Sequence, residues 1–144
     1  MTTIAYDLNR REVATDGRVT ESDSGDIATD EGVKMYSRAG LMVFMAGDLA
    51  DVDETVNAFI ACSHRVRKTM DVHGLIWTGT KLFEIVSSFG LLDWHQVVAA
   101  TGAIGSGAPY AIAALDSGAT PRAAVAAAAK RNCFTGGKIR VYKL

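Results

Sequence analysis

A threonine at the start of a chain can act as nucleophile and base together, and Met1-Thr2-Thr3-Ile4 offers one if a single methionine is removed. The hydroxyl alone is a weak nucleophile. A free α-amine on the same residue, with an ordinary pKa of about 7.7 to 8, can serve as its general base near neutral pH. From these two residues alone Thr2-Thr3 is better read as the opening of a β-strand, since β-branched residues fit a pleated surface. The other chemistry-bearing types are sparser. His64, His73 and His95 lack a recognised zinc spacing, and Cys62 and Cys133 are too few for a disulfide framework or a thiolate site. The glycines from Gly102 through Gly107 lack the lysine and the strand-loop-helix pattern of a phosphate loop. No metal, cofactor or nucleotide is expected.

The elements that must position Thr2 read as paired strands. Ile4, Tyr6 and Leu8 alternate with Thr3, Ala5 and Asp7, a polar turn follows at Asn9-Arg10-Arg11, and Glu12 to Asp16 completes a hairpin. After a polar stretch, Glu21 to Asp26, Val33 to Arg38 and the apolar Leu41 to Ala46 predict a second hairpin around Ala39-Gly40. From Asp48, placed as a cap, Leu49, Val52, Val56, Phe59, Ile60 and Val66 keep helical spacing, which predicts a helix to about Arg67 with basic residues at its end. Gly74 to Thr78 and Lys81 to Val86 predict a third hairpin, and one more strand falls between Trp94 and Ile104. Helices over Ala108 to Leu115 and Pro121 to Lys130, the latter capped by Thr120, precede a closing strand at Lys138 to Lys143.

Composition sets the bounds. The chain has 144 residues, 15 basic and 16 acidic, for a formal net charge of -1. That suits one domain, 1–144, and gives no electrostatic support for nucleic acid or an anionic membrane surface. No apolar run approaches the roughly 20 residues that span a bilayer. The N-terminus lacks the basic and apolar regions of a signal peptide, so a reduced, cytoplasmic protein is expected.

Five segments in order resemble a proteasome β-subunit and its bacterial two-ring relative. They are Thr2-Thr3-Ile4 with Ala14 to Thr20, then Val33-Lys34, then Met45 to Asp51, then Gly105 to Ala111, and finally Arg131 to Gly137. The resemblance implies an α+β fold, the four-layer αββα sandwich of the N-terminal nucleophile hydrolases, and amide hydrolysis in a self-compartmentalised ring. Thr2 would be the nucleophile. Lys34 would lie beside its hydroxyl and favour alkoxide character, and Asp16 would hold Lys34. Gly47 would turn its N–H toward the developing oxyanion, and Ser106, with Asn132 and Thr135, would complete the network around the amine. Gly105-Ser106-Gly107 is not the Gly-x-Ser-x-Gly nucleophile elbow. Val19, Gly32, Tyr36, Met45 and Leu49 would line an apolar pocket beside the scissile bond, although Met45 and Leu49 suit a core equally well.

Two departures stand out. Asn132 replaces the aspartate of the proteasomal pattern and Thr135 its serine, so a hydroxyl is kept and a charge is lost. Reduced or differently tuned activity is the expected result. The family's second long helix has no room between Lys68 and Gly74, which leaves a flank of the first helix uncovered and argues against docking by an ATPase unfoldase. Three functions follow: a threonine peptidase acting on peptides or unfolded protein in a homo-oligomeric ring, an inactive ring or scaffold, or an amidase of a small metabolite.

Overall fold

The structure, a computed structural model, describes residues 2–21, 24–46 and 49–144, with Leu49 described for its backbone alone. The chain divides into two compact units, residues 1–34 with 99–144, and residues 35–98. Among the described residues no helix is long and apolar enough to cross a membrane.

The first unit is built on a four-stranded antiparallel sheet in the order β10-β1-β2-β11. β1 (Thr3–Asp7) and β2 (Glu12–Thr15) form the expected first hairpin, with Ile4 opposite Thr15. β10 (Thr101–Gly105) flanks β1, and β11 (Arg140–Lys143) flanks β2. Every residue of β1 is buried, as a central strand covered on both faces must be. A two-stranded ribbon, β3 (Val19–Thr20) with β4 (Ile27–Thr29), leaves the hairpin. α2 (Ala108–Asp116) and α3 (Pro121–Ala129) pack on the sheet through small side chains. Ala111, Ala124, Val125 and Ala128 meet Ala5 and Ala14, so the helices can lie close. Thr120 caps α3 as its sequence predicts, accepting from the Ala123 amide at 3.3 Å, with Pro121 in the first turn.

The second unit is a five-stranded antiparallel sheet, β5-β6-β7-β8-β9. β5 (Met35–Arg38) and β6 (Leu41–Met45) turn through Ala39 and Gly40, both with positive φ, the pairing a two-residue hairpin turn requires. β7 (His73–Trp77) and β8 (Leu82–Ser88) form the next hairpin. The single strand expected between Trp94 and Ile104 resolves into two, β9 (Leu91–Gln96) here and β10 in the first unit. α1 (Leu49–Ile60) buries Val52 and Val56 against Val43, Met45, Ile76, Ile85 and Leu92.

α1 is shorter than its periodicity predicts, ending at Ile60 rather than near Arg67. Cys62 takes φ +52, the Cys62 amide donates to the Phe59 carbonyl at 3.2 Å, and the Ser63 amide donates to the Ala58 carbonyl at 2.9 Å. This is a Schellman stop, hidden in the sequence because a cysteine stands where glycine usually does. The basic residues after it therefore do not complete the helix end. Instead, Arg67 folds back on α1, reaching Asp51 at 2.6 Å and taking both carboxylate oxygens of Glu54 through its backbone and side chain. No helix forms between Ile60 and His73, and the flank of α1 that this connection crosses is polar. Asp48, the expected cap, lies outside the described residues.

Replacing Cys62 by glycine should stabilise the protein by about 0.5–1 kcal/mol, because a left-handed conformation strains any side chain. A higher midpoint in denaturant, with an unchanged slope, is the expected reading. An unchanged or lower midpoint would show that Cys62 is not strained.

Candidate active site

All polar groups of the candidate site described below belong to the first unit. β1 begins beside β2, so the carboxylate of Asp16, one residue beyond β2, faces the start of the chain. Asp16 is fully buried and Lys34 is 3% exposed, with Nζ 2.7 Å from Asp16 Oδ1. The same Oδ1 accepts from the Thr2 hydroxyl at 3.0 Å and from the Thr3 amide at 2.9 Å. The second oxygen, Oδ2, accepts from the Gly136 amide at 3.1 Å and the Arg18 amide at 3.3 Å. Five donors thus converge on one buried carboxylate. Lys34 also donates to the Arg18 carbonyl at 2.8 Å. Burial pushes the Lys34 ammonium below the ordinary lysine range, against the opposing pull of Asp16.

A second network runs from Ser106 to Thr135. The Ser106 amide donates to the Thr2 carbonyl at 2.9 Å, which anchors Thr2 to the loop before α2. Asn132 Nδ2 donates to the Ser106 carbonyl at 3.0 Å, while Asn132 Oδ1 accepts from the Phe134 amide at 3.0 Å and the Thr135 hydroxyl at 3.2 Å. The Ser106 hydroxyl lies 3.4 Å from the same Oδ1 and 3.5 Å from the Thr2 carbonyl. Asn132 therefore uses both halves of its amide. A carboxylate there would turn an oxygen toward the Ser106 carbonyl.

The two adjacent threonines are not equivalent. Thr3 is locked into structure, its hydroxyl 2.6 Å from Thr135 Oγ1 and accepting from the Gly107 amide at 3.0 Å. Thr2 is the one whose hydroxyl meets the Asp16–Lys34 pair. Close approach of the loop before α2 requires glycine. A Cβ at Gly107 would fall 2.4 Å from Thr3 Oγ1, and one at Gly105, where φ is +93, would fall 1.9 Å from the Thr2 carbonyl oxygen.

Thr2, Asp16, Lys34, Ser106, Asn132 and Thr135 are thus brought together. Gly47 lies outside the described residues, as does the side chain of Leu49. Of the pocket set, Val19 is partly exposed and touches Gly32, where a Cβ would meet Val19 Cγ2 at 2.5 Å. Met45 is wholly buried in the core of the second unit, with Tyr36 packed against that core. Next to Gly32, Asp30 pairs with Arg18 and Glu31 with Arg140 and Lys138. An open groove of about 550 Å³ between α2 and α3 holds none of the polar groups above. Among the described residues no three His, Cys, Asp or Glu side chains are placed to hold a metal. Sequence reading missed Arg18 and Gly136, because their amides do the work and a backbone group leaves no mark on residue type.

Lys34→Ala should destabilise the fold by about 3–5 kcal/mol, since it strands the buried Asp16 charge, whereas Asp16→Asn with Lys34→Met should recover much of the loss. Urea unfolding of the single and double variants measures this. Equal stability of wild type and Lys34→Ala would mean that the pair is not buried as described.

No protein-family model matches the chain, and no curated sequence matches it. Solved structures do resemble it. Eukaryotic HslV from Trypanosoma brucei superposes with a TM-score of 0.75 at 19% identity, covering 99% of this chain and 100% of that one. Thiobacillus denitrificans BPH in complex with epoxomicin gives 0.70 at 17% identity, over 99% and 98% of the two chains. A second structure of that BPH gives 0.66 at 14%, over 99% and 96%. Across its whole length the chain has the α+β fold of these proteins, the proteasome-like N-terminal nucleophile hydrolase fold.

Proposed function

We propose that the chain is a threonine-type peptidase whose nucleophile is Thr2 after removal of Met1. The observation that carries this reading is the Thr2 hydroxyl held on a buried Asp16–Lys34 pair, at 3.0 Å from the carboxylate. Thr2 Oγ would attack the scissile carbonyl carbon while the freed α-amine, directly or through water, takes the hydroxyl proton. The amide C–N bond then breaks, that proton passes to the leaving amine, and an ester to Thr2 remains. Water hydrolyses the ester. Lys34, charged, lowers the cost of alkoxide character and helps to keep the α-amine neutral; Asp16 holds it in place. Ser106, Asn132 and Thr135 keep the terminal residue in register, and Gly47 supplies an oxyanion donor.

The reading extends to residues 1–144 as one domain with the four-layer αββα arrangement, and to an apolar substrate pocket beside Val19 and Gly32. It includes a homo-oligomeric ring in the cytoplasm that takes peptides or unfolded protein, without the surface a second long helix would give an ATPase partner. The fold shared with BPH, one structure of which holds epoxomicin, supports a peptide-shaped ligand. One observation favours a second reading, a catalytically inactive ring or scaffold. Asn132 closes its network through the amide and brings no carboxylate of its own to this position.

Intact mass before and after incubation with a peptide epoxyketone tests the proposal. Loss of Met1 and a single adduct, abolished by Thr2→Ala but formed by Thr3→Ser, is the expected result. Retained Met1 with no adduct would shift the assignment to the inactive scaffold.

The pH dependence follows from Lys34. Its charge favours the neutral α-amine, so activity toward a hydrophobic fluorogenic peptide should rise at or below the ordinary amine value of about 8. Activity should fall again as Lys34 loses its proton, which burial brings below the usual lysine value of about 10.4. A kcat/KM profile still rising above pH 10.5 would remove Lys34 from the rate-determining ionisations.

A further inference from the structure

We propose that Arg18 is a positioning residue for the Thr2, Asp16 and Lys34 cluster, its guanidinium clamping the two segments whose backbone groups hold that buried pair. The inference rests on the peptidase reading. Arg18 touches both charges through its backbone: its amide donates to Asp16 Oδ2 at 3.3 Å and its carbonyl accepts from Lys34 Nζ at 2.8 Å. A residue so placed cannot shift without moving the pair.

Its side chain supplies the restraint. Nε and Nη2 grip the Asp30 carboxylate in a fork, at 2.8 and 3.2 Å, and Nη1 donates to the Cys133 carbonyl at 2.9 Å. Gly136, the other amide on Asp16 Oδ2, lies against the guanidinium so closely that a Cβ there would fall 2.6 Å from Arg18 Cζ. Asp30 is fixed in turn, its carbonyl accepting from the Lys138 amide at 2.8 Å, and the Gly17 amide donates to the Gly136 carbonyl at 3.0 Å. One planar cation therefore joins residues 16–18, 30 and 133–138 around the carboxylate. Lysine carries the same charge on a single donor centre and cannot make the fork and the third bond together. The hydrogen bond from Arg18 keeps the Asp30 carboxyl below its usual range, so the clamp persists into mild acid.

Arg18→Lys and Asp30→Asn are compared with wild type in two measurements. The first is the rate of peptide epoxyketone adduct formation at Thr2 across pH. The second is the titration of Lys34, followed by NMR of protein carrying 13C-labelled lysine. Both variants should react roughly tenfold more slowly, because small displacements of a reacting group cost rate steeply. The half-saturating inhibitor concentration should be unchanged. Lys34 should titrate at lower pH than in wild type, since it stays buried while its carboxylate partner loosens. A slower reaction with Lys34 titrating as in wild type would mean a merely structural role and would overturn the proposal, as would unchanged behaviour in both measurements. If wild type forms no adduct, the peptidase reading fails and the Lys34 titration alone decides for or against the clamp. If Arg18→Lys does not fold, Asp30→Asn, which alters a half-exposed carboxylate, carries the test.

Discussion

Burying the Asp16 carboxylate with the Lys34 ammonium is the constraint on which the first unit is organised. Two charges taken out of water cost several kcal/mol each unless their remaining lone pairs and protons are satisfied. Asp16 meets that requirement with donors from Thr2, Thr3, Arg18, Lys34 and Gly136. Those donors come from the start of β1, the turn after β2, the approach to residue 34 and the loop before β11. Each segment must be in place for the charge to be tolerated, so the pair specifies an arrangement more than it adds stability.

Close backbone approach follows from the same constraint. Amides can reach a buried carboxylate and a terminal residue only where nothing projects between them, and glycine stands at those places. Gly105 and Gly107 let the loop before α2 meet Thr2 and Thr3, and Gly136 lets the loop before β11 lie against Arg18. Alanine-rich faces do the equivalent for the helices. Ala111, Ala124 and Ala128 bring α2 and α3 down onto Ala5 and Ala14, which carries residues 105–107 to the strand that begins at Thr3. The result is a Thr2-Thr3 segment fixed by its neighbours on both sides.

Asn132 shows how far one atom can alter such a network. Its oxygen does what a carboxylate oxygen would do for Phe134 and Thr135, but its nitrogen donates to the Ser106 carbonyl. The loop is fully satisfied, and position 132 carries no charge of its own. Geometry and electrostatics are therefore separated at this position, and the two functional readings divide on which of them governs the reaction. The flank of α1 is also met locally: Arg67 closes over Asp51 and Glu54 and makes it polar.

The hairpins, the capped α3 and the closing strand were legible in the sequence, because alternation, turn glycines and Thr120-Pro121 are local signals. Thr2 stood out by residue type and place, but its grouping with Asp16, Lys34, Ser106 and Asn132 was legible only through ordered resemblance, since no spacing along the chain brings residues 2 and 132 together. The end of α1 was misread because Cys62 adopts a conformation that composition assigns to glycine. The division of one expected strand into β9 and β10 was equally hidden, as apolar runs do not show which sheet will take them. Arg18 and Gly136 were invisible for a different reason: their amides reach Asp16 as any residue's could, and the Arg18 guanidinium and the bare Gly136 backbone gain meaning only from contacts distant in sequence. Residue types determined by themselves which groups can carry charge, cap a helix or turn a chain. Only the tertiary structure decided which backbone amides meet at Asp16, because burial of one charge selects its partners by position and not by identity.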